Sequence, residues 1–401
     1  MSTQIKQTLV MTRANLSSIP RRLAVSLSMV LSIALVVCVL AGFLAMSKGF
    51  ELALDGAGSP NVAVVLGGGT NQEMGSDIPA DAIRNLLAIR DDFGVARDGD
   101  GNIITSREIV VPINFAPVGE DILPRTLALR GMETTAATIR DAVALSDGRL
   151  FRPGAREIVV GARLATDFPG FGLGNSVRLG ALDWTVVGHF SAGGSAFESE
   201  IWADLDAARA AFDRQGQVQS LRLRLIDPSA LPILNARLAK ISHTPLLAVS
   251  EVDLYAAQSG RTSDIIQLFG WPLALLMAIG ATAGALNTMM SSVADRTVEI
   301  ATVRALGFSR LSACLATWIE AIALAAVGVA LGLLASWSGF NGWQASTVGA
   351  NNASIGFQLA VTREVMASAG VLGLVIGILG GAIPAFAATR LPLTAALRAS
   401  G

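Results

Sequence analysis

Four long stretches with almost no charge limit what this chain can become. Residues 23–47, 265–294 and 365–389 contain no Asp, Glu, Lys or Arg, and residues 311–338 contain only Glu320. As helices rising about 1.5 Å per residue, each can cross a hydrocarbon core of about 30 Å. A chain of 401 residues that is 52% hydrophobic and 15% charged is also too apolar for a soluble protein of its size. The pattern predicts a membrane α-helical protein with four transmembrane helices, at 23–47, 265–291, 311–338 and 365–389. A large mixed α/β extracytoplasmic domain is expected between helices 1 and 2. The first run is longer than a signal-peptide core and lacks a small-residue cleavage site, so it is expected to stay as a span. Val37, where lipoprotein processing needs a small residue, argues against lipidation at Cys38.

Orientation follows from lysine and arginine, which collect on cytoplasmic loops. Lys6, Arg13, Arg21 and Arg22 precede the first run, Arg296, Arg304 and Arg310 lie between the second and third, and Arg390 and Arg398 follow the fourth. The other side has Arg363 in the short extracytoplasmic loop 339–364, with Lys48 and Arg261 flanking the large domain. Both termini are therefore expected in the cytoplasm, and residues 48–264 in the periplasm of a bacterial inner membrane. Residues 1–22 set Ile5, Leu9, Leu16 and Ile19 among their cations, as in an amphipathic helix lying in the membrane interface. Residues 390–401 form a cytoplasmic tail.

The segment 48–264 is long enough for one compact domain or two small lobes. Alternating apolar runs at 61–66 and 103–113 read as strands, and helical periodicity appears at 80–90 and 231–241. From 157 to 202 the order is strand, short helix, then a strand pair. DGDGN at 98–102 resembles a calcium loop, but Ile109 stands where the twelfth-position glutamate belongs, so a hairpin turn is expected.

Little in the chain suggests catalysis. Gly-xxxx-Gly-Lys-Ser/Thr is absent, so no nucleoside triphosphate is expected to bind here in the usual way. His189 and His243 have no carboxylate or cysteine at ligand spacing, and Ser195 lacks the glycine that would complete a nucleophile elbow. Cys38 and Cys314 both sit in apolar runs, leaving the polar domain without thiols. A formal charge of -1 gives no reason to expect nucleic acid. No catalytic, cofactor or metal site is expected in this chain.

The segment 292–310, SVADRTVEIATVRALGFSR, is the most structured charged stretch. Ser292 with Asp295 matches a capping box, and Gly307 supplies a left-handed stop. Val293, Ile300, Val303 and Leu306 recur at helical spacing, while Arg296 can pair with Glu299 one turn on. Glu320 is the lone acid within a span, expected in its cytoplasmic half and paired with Asn287 or Arg304 or snorkelling to the interface. Gly280 and Gly284, and Gly373, Gly377 and Gly381, form small faces suited to helix packing or dimerisation.

RTVEI at 296–300 followed by RALG at 304–307 resembles the cytoplasmic coupling signature of the MacB, LolC/LolE and FtsX superfamily of ABC-transporter permeases. PAFAATRLP at 384–392 with ALR at 396–398 is similar to that family's closing motif. EIVVG at 157–161, VRL at 177–179, VVG at 186–188 and FESEIW at 197–202 resemble the MacB-type periplasmic core. The resemblance implies a permease without a fused ATPase domain that dimerises with itself or a related permease. It would rest on a separate ABC ATPase, which binds the ATP and Mg, and work in the bilayer with a periplasmic adaptor and outer-membrane duct. ATPase coupling would then fall to Arg296, Glu299, Ile300, Arg304 and Gly307. The implied function is mechanotransmission for export or extraction of a substrate at the outer membrane face. The alternative is an FtsX-like regulator that activates a cell-wall hydrolase without transport.

Overall fold

The computed structural model describes residues 2–116, 124–241, 244–349 and 352–389. His243 and the tail bearing Arg390 and Arg398 lie outside the described residues. The chain begins with α1 (Ser2–Ser18), a 3-10 turn (Ile19–Arg22) and α2 (Leu23–Asp55). Then follow β1 (Val62–Gly67), α3 (Ala80–Leu87), β2 (Thr105–Phe115), β3 (Arg125–Met132), α4 (Ala136–Ile139) and β4 (Ala144–Gly148). Next come β5 (Glu157–Gly161), α5 (Ala162–Asp167), β6 (Ser176–Leu179), β7 (Leu182–Ser191), β8 (Glu200–Asp204), α6 (Leu205–Ala211), β9 (Ser220–Arg224), α7 (Leu231–Ile241) and β10 (Leu246–Ser250). The last part holds α8 (Glu251–Asp295), α9 (Thr297–Ala305), α10 (Arg310–Phe340), β11 (Gln344–Val348), β12 (Ser354–Gln358) and α11 (Arg363–Thr389).

Two compact units result. One comprises Gly49–Ser263 and Gln344–Gln358; the other holds the remaining segments. Among the described residues, α2, α8, α10 and α11 are the helices long and apolar enough to cross a membrane. α8 stays helical through Pro272.

The helical unit packs around small side chains. Ile33, Val37 and Ala41 of α2, Ala278 and Ala285 of α8, Ala325 of α10 and Ile376 of α11 share one buried cluster. Glycines allow the closest approaches. A Cβ on Gly332 would stand 2.6 Å from the Ala34 carbonyl oxygen, and one on Gly328 would stand 2.8 Å from that of Val30. With no water to fill gaps between spans, such backbone contact supplies the dispersion that holds helices together.

The other unit is built on one sheet, ten-stranded among the described residues, in the order β10-β1-β9-β2-β3-β8-β5-β7-β4 with β6 against β7. It carries two cores. Val65, Leu223 and Leu234 lie in one, and Ile109, Trp184 and Ile201 in the other, so the two lobes share a single sheet. The turn at 98–102 is a hairpin: Asp98 accepts hydrogen bonds from the amides of Asp100 and Asn102 at 3.0 and 2.8 Å, and Arg97 bridges to Ile103. The loop 339–364 is more than a connection. Its hairpin β11–β12 belongs to the sheet unit, with Ala353 packed against Val110 and Ala128 and Phe357 edge-on to Phe50 at 5.5 Å.

Across four adjacent strands the sheet buries charge. Arg222 of β9, Glu108 of β2, Arg130 of β3 and Glu200 of β8 alternate in sign from strand to strand on one face, each two residues out of register with the next, and are all buried. Arg130 grips Glu200 with two bonds of 2.8 and 2.7 Å and Glu73 with two of 2.8 and 3.0 Å. Arg222 donates to Glu251, in the first turn of α8, at 2.9 Å and also pairs with Glu108. Arg140 donates to Glu108 at 2.8 Å and its guanidinium lies over the Trp202 ring. Burial by itself would raise the pKa of Glu73; Arg130 and Arg222 outweigh it and hold the carboxyl well below its ordinary value. Glu108 is likewise lowered against burial, chiefly by Arg140 and then by Arg222 and Arg130.

Removing one cation leaves buried carboxylates uncompensated, so Arg130→Met is expected to cost about 3–5 kcal/mol. Both glutamates have lowered folded-state pKa values. Their stabilisation is therefore complete above the ordinary carboxylate value of 4.5 and is lost as pH falls below it through the folded values. Thermal unfolding of the full chain in detergent should show a plateau near neutrality and a decline below that value. A flat acid profile, or an unchanged melting temperature in the variant, would contradict this.

Candidate functional site

The charged segment between the second and third spans is where the helical unit presents its chemistry. The helix α8 does not stop before it. Ser292 lies inside α8, its hydroxyl accepting a bond from Arg22, so the capping box predicted from Ser292 and Asp295 does not form. An uninterrupted helical stretch prevails over the local cap signal. The chain breaks at Arg296 (φ −107°, ψ 13°), and α9 then runs only from Thr297 to Ala305. Gly307, at φ +97°, provides the expected left-handed stop. Ser309 caps α10 by accepting the Ser312 amide at 3.1 Å.

The break carries neither proline nor glycine; its residue is drawn into a charged node. Arg296 donates to Glu320 at 3.0 Å, to Asn15 at 2.9 Å, to Ser18 at 3.0 Å and to Glu299 at 3.3 Å. Arg22 reaches the other oxygen of Glu320 at 3.3 Å and the Ser18 hydroxyl at 2.9 Å. Each oxygen of a carboxylate that is 2% exposed thus meets its own guanidinium. The partners of Glu320 are Arg22 and Arg296 rather than Asn287 or Arg304. Two cations close to one desolvated acid make its ionised form tolerable where a lone charge would not be.

This pairing also sets a level. Arg22 immediately precedes the uncharged run of α2, so Glu320 lies where that run begins. From there α10 continues for twenty residues to Phe340, about 30 Å of helix and the thickness of a hydrocarbon core. The turns from Arg310 to Ile319 flank α1 instead. Gln7 accepts a hydrogen bond from the Ser309 amide at 3.2 Å, and Met11 joins a buried cluster with Val293, Ile300, Ala313 and Ala316. The helix expected at the N terminus forms, with one face packed on α9 and α10.

α9 consequently has two unlike faces. Arg296, Ile300 and Arg304 are buried, and Val303 is half-buried. Val298, Glu299, Thr302, Ala305 and Leu306 are exposed, Leu306 by 76%, contrary to its expected place on the apolar face. Gly307 is exposed at the end of this surface. The residues singled out in the sequence therefore divide: Arg296, Ile300 and Arg304 turn into the bundle, whereas Glu299 and Gly307 face outward.

The glycine faces divide as well. A Cβ on Gly373 would meet Val329 and Val37 at 2.5 Å, one on Gly377 would meet Ala325 at 2.1 Å, and one on Gly381 would meet Ala321 at 2.4 Å. These three seat α11 on α10, with α2 close to Gly373. Around Gly280 and Gly284 nothing lies within 4 Å of such an atom. In the sheet unit, His189 bonds to the Phe171 carbonyl oxygen at 2.8 Å, and Ser195 is buried.

Comparison with known proteins follows the same division of the chain. The model of the MacB-like periplasmic core domain matches residues 25–241, and that of the FtsX-like permease C-terminal region matches residues 272–393. The macrolide export ATP-binding/permease protein MacB of Bordetella avium (strain 197N) is 26% identical over 227 residues, covering 55% of this chain. The match spans 34% of that relative's length. The crystal structure of the periplasmic region of MacB from Actinobacillus actinomycetemcomitans matches with a TM-score of 0.36 and 13% identity, over 49% of this chain and 91% of that one. The extracellular domain of the noncanonic ABC-type transporter YknZ from Gram-positive bacteria gives a TM-score of 0.35 and 14% identity, over 47% of this chain and 100% of that one. With the first model alone covering more than half of the residues, the chain belongs to the family of membrane permeases with a MacB-like periplasmic core domain and an FtsX-like C-terminal region.

Proposed function

We propose that this chain is the membrane subunit of an ABC transporter and that a separate ATPase docks on the outward face of α9. The observation that carries this reading is the division of α9 itself. Arg296, Ile300 and Arg304 anchor the helix in the bundle, and Val298, Glu299, Thr302 and Leu306 are exposed to meet a partner. A large apolar side chain such as Leu306, held out on a short rigid helix, suits an interface core, with Glu299 at its rim. The partner binds ATP and Mg, and its closure is driven by ATP. Movement of α9 passes through the node of Arg296, Glu320 and Arg22 to the first and third spans, and thence to the sheet unit. That unit in turn exports or extracts a substrate at the outer membrane face, working with a periplasmic adaptor and an outer-membrane duct.

Two copies of the permease complete the assembly. The open face at Gly280 and Gly284 suits close approach of a second copy, or of a related permease, because a helix without Cβ atoms lets another backbone come near. The lysine and arginine distribution puts both termini and α9 in the cytoplasm and the sheet unit in the periplasm.

Leu306→Asp should lower association with the co-purifying ATPase about 5- to 30-fold, as loss of an interface anchor of about 1–2 kcal/mol does, without changing the melting temperature. Glu299→Ala should have a smaller effect of the same kind. Undiminished association in Leu306→Asp, or purification of the native complex with a peptidoglycan hydrolase and no adaptor, would overturn the reading. Orientation is tested with a thiol reagent that cannot cross membranes. Asp183→Cys, exposed at the start of β7, should label in intact cells lacking an outer-membrane barrier, whereas Ala305→Cys should label only after lysis. The reverse pattern would refute the topology.

A further inference from the structure

An apolar groove of about 450 Å³ runs between α1 and the first turns of α10. Ile5 and Leu9 line it from one side and Leu311, Leu315 and Ile319 from the other. Ile5, Leu9 and Leu311 are 61%, 65% and 53% exposed, too much apolar surface to leave facing water. The two helices run side by side in the same direction. Gln7 meets Ser309 and Ser312 near one end, and Arg22 meets Glu320 at the other. The Ile319 end therefore lies at the level where the uncharged run of α2 begins, open to hydrocarbon. The Leu311 end lies about 12 Å away, across the interfacial layer.

Charge at the far end has a single sign. Lys6 neighbours Ile5, Arg310 neighbours Leu311, and both side chains are exposed. Neither α1 nor the stretch of α10 up to Ile319 contains an acidic residue. A ligand matching this arrangement has an anion at the Leu311 end and a flexible apolar chain leading along the groove into the bilayer.

We propose that the groove holds one acyl chain of an anionic phospholipid, with Lys6 and Arg310 on its phosphate. The headgroup then lies beside the start of α10, and the chain passes Leu9 and Leu315 to enter the hydrocarbon at Ile319. Bound there, the lipid fills the space between α1 and α10 and steadies the helix that contacts Arg296 through Asn15 and Ser18. The inference concerns a lipid site and does not depend on what is transported.

The test uses the full-length protein in nanodiscs doped with phosphatidylglycerol carrying a photoactivatable acyl chain, followed by peptide mapping. Labelling is expected on peptides covering residues 4–12 and 311–319. Phosphatidylcholine bearing the same chain should label these peptides several-fold less. Each exposed cation near a membrane surface contributes a factor of about five to anionic-lipid affinity, so Lys6→Gln with Arg310→Gln should reduce labelling roughly tenfold or more. Leu315→Trp, which fills the groove, should abolish labelling there while labelling of the exposed spans continues. Equal labelling by the two lipids, or unchanged labelling in the double glutamine variant, would overturn the proposal. So would loss of groove labelling when the ATPase partner is bound, since the groove would then be a protein-docking surface.

Discussion

A carboxylate held between two guanidinium groups at the foot of the helical bundle fixes the position of every element around it. Glu320 is on α10, Arg22 leads into α2, and Arg296 is the break between α8 and α9. None of the three charges is tolerable alone in so desolvated a place, and together they tie three spans and the intervening helix to one point. Asn15 and Ser18 extend the tie to α1. The level of the membrane, the direction of α9 and the division of its faces all follow from where that carboxylate sits. The exposed surface of α9 is thus connected to the spans by strong, directional contacts rather than by a loop.

The sheet unit applies the same physics without a membrane. Its row of Arg222, Glu108, Arg130 and Glu200 is closed over by Glu73 and by Glu251 at the start of α8. Replacing such a network by apolar residues can be neutral or stabilising, so stability alone does not account for it. What it provides is geometry: a bidentate arginine accepts a narrow range of positions, which holds these strands and their cover in one arrangement.

Much of this was legible in the sequence, and the failures have physical causes. Three uncharged runs and a fourth holding only Glu320 marked the spans, because few other folds tolerate such composition. The helix Leu231–Ile241 and the pair β6–β7 could be read from periodicity, since they alternate between core and surface, whereas β5 beyond Glu157 and all of β8 are buried and β8 was not read as a strand. The ionic row could not: Glu108, Arg130, Glu200 and Arg222 occupy alternate strand positions and read as a solvent-facing side, and the cover over that side comes from segments distant in the chain. The hairpin β11–β12 was missed because QASTV and SIGFQ are short and their packing partners belong to the first half of the molecule. At α9, Gly307 announced itself through its conformational freedom. Ser292 misled, because a cap signal carries no weight inside a helix that has no reason to stop. Glu320 was found as an acid within an apolar run, but which cations it meets depends on a fold that brings residues 22, 296 and 320 together.

A double-mutant cycle measures whether Glu320 holds Arg296 in place. Arg296→Met and Glu320→Met, singly and together, would be compared in the full-length complex for melting temperature and for ATPase association. If Glu320 is what holds Arg296 and so presents α9, Glu320→Met leaves two guanidinium groups without their carboxylate, Arg296→Met leaves Glu320 with Arg22 alone, and the double variant leaves only Arg22, bonded to Ser18 and Ser292. Strong non-additivity is expected, with a coupling of about 1–3 kcal/mol and a double variant no less stable than Glu320→Met. Additive losses in both measurements would show that the two side chains act independently and would contradict it.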